Sequence, residues 1–343
     1  MKKSNVIRIG ILGASRIAPD AIINPAKAID AIKIVGIAAS NIKRAGEFAN
    51  KYDIPFVTDD YDELVGNEQI DLVYISLING MHYEYALKGV KNQKHVLIEK
   101  PLCLTHSEFQ EINNAATTNN VVAMEALMAE HHPWQNEMPK IIHDRGYGRI
   151  RKIISHNNFV LKGKNDFRIT SEKGGGAIYD LGCYCLQFVQ QMAGLEYKNA
   201  SCETDSYGPN DIDTEFFAVI ETIDEVQVEI HCSFRKPFKA HHIVECEKGR
   251  VEVKNFFRAG FGYNMMKIHC TDLETGKTDI VSFEPMNYYY NQLIDIVDMV
   301  QSGGGKTKFI EAGQRVRIME ELRKVRKVTI TGRKNTADAY CFE

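Results

Sequence analysis

The sequence predicts an α/β protein of two domains. The first is a doubly wound parallel sheet of the Rossmann kind; the second is an α+β domain on a large, mostly antiparallel, open-faced sheet. Three observations carry this. The chain has 343 residues, and domains run at about 100–200 residues each. Up to residue 126, short apolar runs alternate with helical patterns, the signature of βαβ units. Beyond it, apolar and polar residues alternate strictly, as in antiparallel strands with one buried and one wetter face.

The elements follow in order. Residues 6–12 form an apolar run and read as the first strand; 16–31 read as a helix. Residues 34–39 are strand-like and 43–52 helical. Residues 72–77 and 96–98 read as buried strands with helical 83–91 between them. Residues 105–118 are helical, and 121–126 complete the parallel series as its sixth strand. In the second half, Val226-Gln227-Val228-Glu229-Ile230-His231-Cys232, Val251-Glu252-Val253-Lys254 and Met266-Lys267-Ile268-His269-Cys270 alternate in polarity. Residues 177–193, 289–301 and 311–328 read as helices, the last with Val316, Ile318, Met319, Leu322 and Val325 on roughly one face. The boundary falls near residue 125: 1–125 is expected to bind a dinucleotide, and 126–343 a substrate and a second subunit.

Composition narrows the function. Hydrophobic residues are 44% and charged residues 25%, which excludes a disordered chain, a collagen-like repeat and a small disulfide scaffold. A net charge of −3 provides no global field for nucleic acid. No stretch approaches the ~18 apolar residues of a membrane helix. The N-terminus resembles a secretion signal only superficially, because Arg8 interrupts the apolar run and cleavage would remove Gly13 and Ser15. The eight cysteines are scattered without a C-x-x-C pair. Free buried thiols in a reducing cytoplasm are the expectation, and the Asn199-Ala200-Ser201 sequon then carries no weight.

After the first strand comes Gly13-Ala14-Ser15-Arg16-Ile17-Ala18. The dinucleotide fingerprint G-x-G-x-x-G/A maps onto Gly13, Ser15 and Ala18: a tight turn, a small residue where backbone meets pyrophosphate, and close helix packing. The helix N-terminus beyond would hold the pyrophosphate on its amides. An ordinary strand-to-helix turn would satisfy the same three positions, and the surrounding α/β alternation is what favours the nucleotide. At the end of the second strand, NAD binding calls for a carboxylate on the ribose hydroxyls. This chain has Ala39-Ser40-Asn41-Ile42-Lys43-Arg44 instead. A hydroxyl, an amide and two cations suit a 2′-phosphate, so NADP is expected over NAD; the alternative is a solvated first helical turn.

Four features in order carry a family resemblance: the degenerate glycine turn, Asn79-Gly80-Met81-His82 after a strand, Glu99-Lys100-Pro101 after the next, and Gly174-Gly175-Gly176-Ala177-Ile178-Tyr179-Asp180 opening a helix. E-K-P with G-G-G-x-x-x-D at this separation resembles the Gfo/Idh/MocA oxidoreductase family over most of the chain. The resemblance implies hydride transfer between a nicotinamide and a carbon bearing a hydroxyl or carbonyl, usually on a sugar or polyol. It places Lys100 beside the nicotinamide and the reacting oxygen, with Pro101 fixing the backbone through a cis bond.

Hydride transfer to a carbonyl builds negative charge on oxygen, and a positioned cation with a proton donor completes the step. Many members read D-x-G-x-H. Here the segment is Asp180-Leu181-Gly182-Cys183-Tyr184, with tyrosine in the histidine position. That resembles the branch containing dimeric dihydrodiol dehydrogenase and NADP-dependent xylose dehydrogenase, where the tyrosine is the proposed acid/base. A cation beside a phenol favours phenolate. Asp180 and Tyr184, four apart, would share a helix face, with Asp180 orienting substrate or lysine. Core packing of Tyr184 is the alternative. Gly13, Ala14, Ser15, Arg16, Ile17, Ser40, Asn41 and Lys43 are the candidates for the pyrophosphate and adenosine end. Asn79, His82, Glu99 and Lys100 are those for the nicotinamide end, with capping of the following helix as the other use of Asn79.

Other signals carry less. Gly303-Gly304-Gly305-Lys306-Thr307 lacks the glycine that a P-loop needs at Val300, and reads as a flexible turn. His131-His132 and His241-His242 are adjacent pairs that face apart, so no metal is expected. Tyr288-Tyr289-Tyr290 fits a core or dimer role better than a sugar pocket. An exposed half-apolar sheet face is a large patch for a monomer, so a homodimer or larger assembly is expected. The same fold also serves nucleotide-binding regulators without turnover, a second reading of the chain.

Overall fold

A computed structural model describes residues 6–163, 166–207, 212–257 and 262–330. In chain order the elements are β1 (Ile7–Leu12), a π-helical turn Pro19–Ile23 running into α1 (Asn24–Ala26), β2 (Ile32–Ala38), α2 (Ile42–Tyr52), β3 (Phe56–Thr58), α3 (Tyr61–Gly66), β4 (Leu72–Ile75), α4 (His82–Lys91), β5 (His95–Glu99), α5 (His106–Asn119) and β6 (Ala123–Ala126). Then come α6 (Pro133–Asp144), β7 (Ile150–Asn158), a π-helical turn Ile178–Gly182 running into α7 (Cys183–Ala193), and seven strands. These are β8 (Tyr197–Tyr207), β9 (Ile212–Thr222), β10 (Gln227–Ser233), β11 (Lys239–Cys246), β12 (Gly249–Lys254), β13 (Met266–Asp272) and β14 (Thr278–Phe283). The last elements are α8 (Tyr288–Ser302), α9 (Lys306–Val325) and β15 (Lys327–Ile330).

The chain divides into two compact units, Met1–His131 with Asn287–Val316, and His132–Met286 with Arg317–Glu343. The boundary expected near residue 125 lies close to the end of the first segment, and residues 287–316 group with the first unit. Part-buried polar contacts tie them there. Asn291 Nδ2 donates to the His131 carbonyl at 2.7 Å, and Asp295 accepts from the buried His131 ring at the same distance. Tyr288 and Tyr289 are buried in this unit.

The first unit holds a six-stranded parallel sheet in the order β3-β2-β1-β4-β5-β6. Strands β1, β4, β5 and β6 are buried almost throughout, as strands covered on both faces require, while β2 and β3 towards the edge are only partly so. The winding reverses between β1 and β4, where Leu12 pairs with Ile75. In such sheets the crevice beyond the carboxyl ends at this reversal is where ligands bind. Two readings change. The helix after β1 is short, Pro19–Ala26 instead of 16–31, and contains two prolines. The three-residue edge strand β3 and helix α3 have too few residues for a periodic signal and were not among the elements expected.

The second unit holds a nine-stranded sheet, β14-β13-β12-β11-β7-β10-β9-β8-β15. Its neighbours run antiparallel except β7 with β10 and β8 with β15. One face packs on α6 and α7 through residues such as Ile153, Val228, Ile230, Val244 and Val251. The other carries Ile154, Val219, Phe217, Ile243 and a file of histidines. Register places Phe217, His231, His156 and His241 side by side across β9, β10, β7 and β11. The adjacent His242 points into the core instead, stacked between Phe188 at 4.0 Å and Phe256 at 4.2 Å.

The turn expected at residues 303–307 ends sooner, since Lys306 and Thr307 already belong to α9. His132 caps α6, its Nδ1 accepting from Trp134 N at 3.1 Å. Seven cysteines are free and buried; Cys341 lies outside the described residues. Among the described residues no helix is long and apolar enough to cross a membrane, and no cluster of His, Cys, Asp or Glu could hold a metal ion.

Candidate active site

The turn after β1 has room for glycine alone. Gly13 sits at φ +100°, and a Cβ there would lie 2.7 Å from the Ser76 carbonyl oxygen. Ser76 Oγ faces the Leu12 and Gly13 carbonyls at 3.1 Å each, joining the ends of β1 and β4. Ala14 is buried, Ser15 and Ile17 are half-buried and Arg16 is exposed. Ser15 Oγ accepts from Ala18 N at 3.2 Å, closing the turn that leads into the short helix. The small side chains and the exposed arginine suit an anionic dinucleotide passing over this edge.

Beyond β2, Asn41 caps α2, its Oδ1 accepting from Arg44 N at 3.2 Å. Ser40, Asn41, Lys43 and Arg44 are all exposed. Arg44 reaches back: Nη2 donates to the Ala14 carbonyl at 2.7 Å. A cation thus stands on the glycine turn itself, and Arg44 is closer to the fingerprint than the sequence placed it. Tyr61, the first residue of α3, hydrogen-bonds Ser40; burial raises its phenol, against Ser40 and Arg44.

Lys100 follows β5 at the carboxyl edge of the sheet, half-buried, and its peptide bond to Pro101 is cis. The turn is held from several sides. His82 opens α4, is fully buried, and sets Nδ1 2.8 Å from the Pro101 carbonyl and Nε2 3.1 Å from the Leu77 carbonyl. Burial lowers its pKa, and the Lys100 charge lowers it further. The Pro101 and Leu77 carbonyls act in the opposite direction, and the ring lies between the carbonyls of two loops. Glu99 accepts from the buried Tyr74 hydroxyl at 2.6 Å. Burial raises the Glu99 pKa, against Tyr74 and Lys100. Asn79 is buried in a single 3₁₀ turn, Asn79–Met81, and the α4 cap position is Met81 with no side-chain cap bond.

In the second unit the glycine triplet has a physical cause. A Cβ at Gly175 would lie 2.5 Å from the Arg168 carbonyl, and one at Gly176, φ +116°, 2.5 Å from Asp213 Oδ1. Asp213, fully buried on β9, accepts from Ile178 N at 2.7 Å and so caps the helical run that carries Asp180 and Tyr184. That run begins as a π-helical turn, with α7 starting at Cys183. Asp180 is 3% exposed, and its Oδ2 accepts from Arg168 Nε at 2.8 Å. Tyr184 is 9% exposed, with the Phe257 ring edge-on at 4.6 Å. Arg168 and Asp213 were not among the sequence candidates, since a loop arginine and a strand aspartate carry no periodic signature.

Each unit thus gathers part of the expected set. Gly13 to Ile17, Ser40, Asn41, Lys43, Asn79, His82, Glu99 and Lys100 border the sheet reversal or the E-K-P turn of the first unit. Asp180 and Tyr184 belong to the helical run of the second.

A parallel sheet with a glycine-only first turn, followed by a mostly antiparallel sheet, has the architecture of a dinucleotide-binding domain joined to a second domain. Residues 7–127 match the GFO/IDH/MocA oxidoreductase family with its NAD-binding Rossmann fold, and residues 136–252 match the GFO/IDH/MocA C-terminal domain. The chain belongs to this family. It is 25% identical over 324 residues to D-xylose 1-dehydrogenase (NADP(+)) 2 of Haloferax volcanii, covering 94% of this chain and 97% of that protein. It is 32% identical over 185 residues to trans-1,2-dihydrobenzene-1,2-diol dehydrogenase of Xenopus tropicalis, covering 53% of this chain and 56% of that one. A crystal structure of a 3-ketoreductase from Actinomadura kijaniata, in complex with NADP and TDP-benzene, superposes with a TM-score of 0.90. It is 19% identical, over 95% of this chain and 100% of that one, and speaks for the fold.

Proposed function

We propose that this oxidoreductase uses NADP(H) to interconvert a hydroxyl and a carbonyl on a sugar, polyol or cyclic diol, with Lys100 and Tyr184 handling charge and proton. The first unit holds the dinucleotide and the second the substrate. The observation that carries the reading is Lys100 on a turn pinned by buried hydrogen bonds, on the same sheet edge as a turn that admits only glycine at residue 13. The lack of a carboxylate after β2, with Arg44 on the Ala14 carbonyl, supports NADP over NAD. The substrate class is supported by relatives named for xylose and for dihydrobenzenediol.

The bound nicotinamide supplies or accepts the hydride. Lys100 stabilises the negative charge that develops on the substrate oxygen. Tyr184 gives that oxygen a proton in reduction and takes it in oxidation. Asp180, fixed by Arg168, presents a carboxylate of set orientation to the substrate. The open sheet face is the surface on which two copies meet, supported by its Ile154, Val219, Phe217 and Ile243 side chains.

The test is Lys100→Met and Tyr184→Phe, assayed on a panel of sugars, polyols and cyclic diols with NADPH binding followed by fluorescence. Both variants should lose turnover, Lys100→Met by at least about a hundredfold, while NADPH still binds. Full activity in Lys100→Met rejects the assignment. Tight NADPH binding with no turnover of any substrate by the native chain would favour a regulatory binding protein.

A further inference from the structure

The turn that carries Lys100 has a third anchor, reached from the far end of the chain. Leu102 N donates to Glu125 Oε1 at 2.9 Å, deep in the first unit. The other oxygen, Oε2, accepts from Arg315 Nη2 at 2.6 Å. The same nitrogen lies 2.9 Å from Glu130 Oε1. The Glu125 and Arg315 side chains are each 2% exposed. One guanidinium is therefore shared between two carboxylates in the interior, and one of those carboxylates holds a backbone amide two residues from Lys100.

We propose that Arg315 is a positioning residue for the reaction centre: it orients the Glu125 carboxylate so that the Leu102 amide, and with it Lys100, stays in place. This rests on the reading of Lys100 as the charge-stabilising residue.

The geometry favours positioning over simple ballast. Glu125 stands on β6 directly beside Ile98 of β5, so the carboxylate has a rigid base. A lone carboxylate with one amide could still turn about its side-chain bonds. A guanidinium nitrogen on the opposite oxygen removes that freedom, because the two partners approach from opposite sides. Arg315 is itself fixed by α9, whose Phe309, Ala312 and Val316 are buried. A Cβ at Gly313 would lie 2.3 Å from two carbons of the Phe109 ring, and the Phe109 and Phe309 rings lie 5.3 Å apart, so α9 is seated closely on α5. Reaction rates are sensitive to this kind of support, since a misplacement of about 1 Å can cost on the order of a hundredfold.

The experiment compares Arg315→Met, Arg315→Lys and Glu125→Gln in the full chain, with Lys100→Met in parallel. It reads kcat and KM on a substrate turned over by the native enzyme, the NADPH dissociation constant, the melting temperature, and the deuterium isotope effect on kcat with NADPH deuterated at the transferred position. Arg315→Met should lower kcat by about a hundredfold, with the NADPH dissociation constant within about twofold and a larger isotope effect. Arg315→Lys, which keeps the charge but not the planar fork, should fall between it and the native enzyme. Glu125→Gln keeps an oxygen for the Leu102 amide and loses the charge that draws Arg315; it should lower kcat by about tenfold and decides the matter where Arg315→Met does not fold. Native kcat and isotope effect in folded Arg315→Lys and Glu125→Gln, with only the melting temperature lowered, would overturn the proposal. Retained turnover in Lys100→Met would overturn the catalytic reading itself, a result separable from the first.

Discussion

Arg168 and Asp180 form one ionic unit in the second domain. Nε donates to Oδ2 at 2.8 Å, and Nη1 lies 3.3 Å from both oxygens of Asp166. Burial works against the Arg168 charge, but Asp180 and Asp166 together raise its pKa. Asp180, with its side chain 4% exposed, thus stands against a permanent cation. Arg168→Met removes the cation from this buried side chain, and should cost about 3–5 kcal/mol of stability in urea unfolding. It should also lower kcat, because Asp180 loses the contact that sets its orientation. An unchanged urea midpoint would show that the pair contributes nothing.

Cofactor choice should follow Arg44 more than Lys43. The Arg44 guanidinium is already ordered on the Ala14 carbonyl, whereas Lys43 is exposed. Arg44→Ala should weaken NADPH binding by about tenfold to a hundredfold, in line with roughly 1.5–3 kcal/mol for a hydrogen bond to a charged group, and NADH binding much less. Fluorescence titration in low and high salt checks this, since screening should shrink the difference between the two cofactors.

Acid should destabilise the fold from near neutrality downward. Burial lowers the pKa of His82, His231 and His242, and brings His132, His156 and His241 to about 4. The unfolded chain protonates these rings near 6.5 and the folded one does not, so the unfolded state binds more protons between about pH 6.5 and 4. Stability therefore falls as pH drops through that window. Asp295, which burial would raise but His131 and Lys308 hold at about 2, extends the loss to lower pH. Glu99 and Asp213, raised by burial, oppose the trend but are fewer. Urea midpoints should decline steadily from pH 7 to 5; a flat profile would contradict the burial of these rings.

The glycine triplet should not tolerate even a methyl group. Gly176→Ala sets a Cβ 2.5 Å from Asp213 Oδ1 at a φ of +116°, a clash and a strained backbone together. A loss of roughly 2–4 kcal/mol is expected, read by thermal unfolding. Gly163→Ala is the control: it shares a positive φ, but its Cβ would meet nothing within 4 Å, so a smaller loss is expected there.

Self-association should depend on the open sheet face. The native chain should sediment as a dimer or larger species at micromolar concentration. Val219→Glu with Ile154→Glu, which puts two carboxylates beside the existing Glu229 between them in register, should yield monomers with an unchanged circular dichroism spectrum. A native monomer would remove this surface from the account.

The parts of this molecule that repeat along the chain were legible in it. Buried parallel strands read as apolar runs, and the half-exposed strands β10, β12 and β13 read as alternation, because each pattern is a direct image of burial. Gly13 and the E-K-P turn were legible because tight backbone geometry restricts residue type. The side chains that hold these turns were harder to find. Glu125 is a lone carboxylate in the otherwise apolar run Val121-Val122-Ala123-Met124-Glu125-Ala126, and Arg315 lies beside the apolar residues of α9. A charge inside a buried pattern was the signal available, but its partner lies 190 residues away, and no local period connects them. Arg168 and Asp213 gave less still. Their partners are set by how a loop and a strand end meet a helix, a relation that only the folded chain contains.

Gly176 and Asp213 also constrain how this chain can change over time. A side chain at Gly176 needs the space that the Asp213 carboxylate occupies, and that carboxylate is what accepts the Ile178 amide. Shortening Asp213 first leaves the helical run without its acceptor; enlarging Gly176 first drives a methyl group into an oxygen. Neither residue has a neutral first step, so the two must be inherited as one unit, and a replacement at either should survive only as half of a double change.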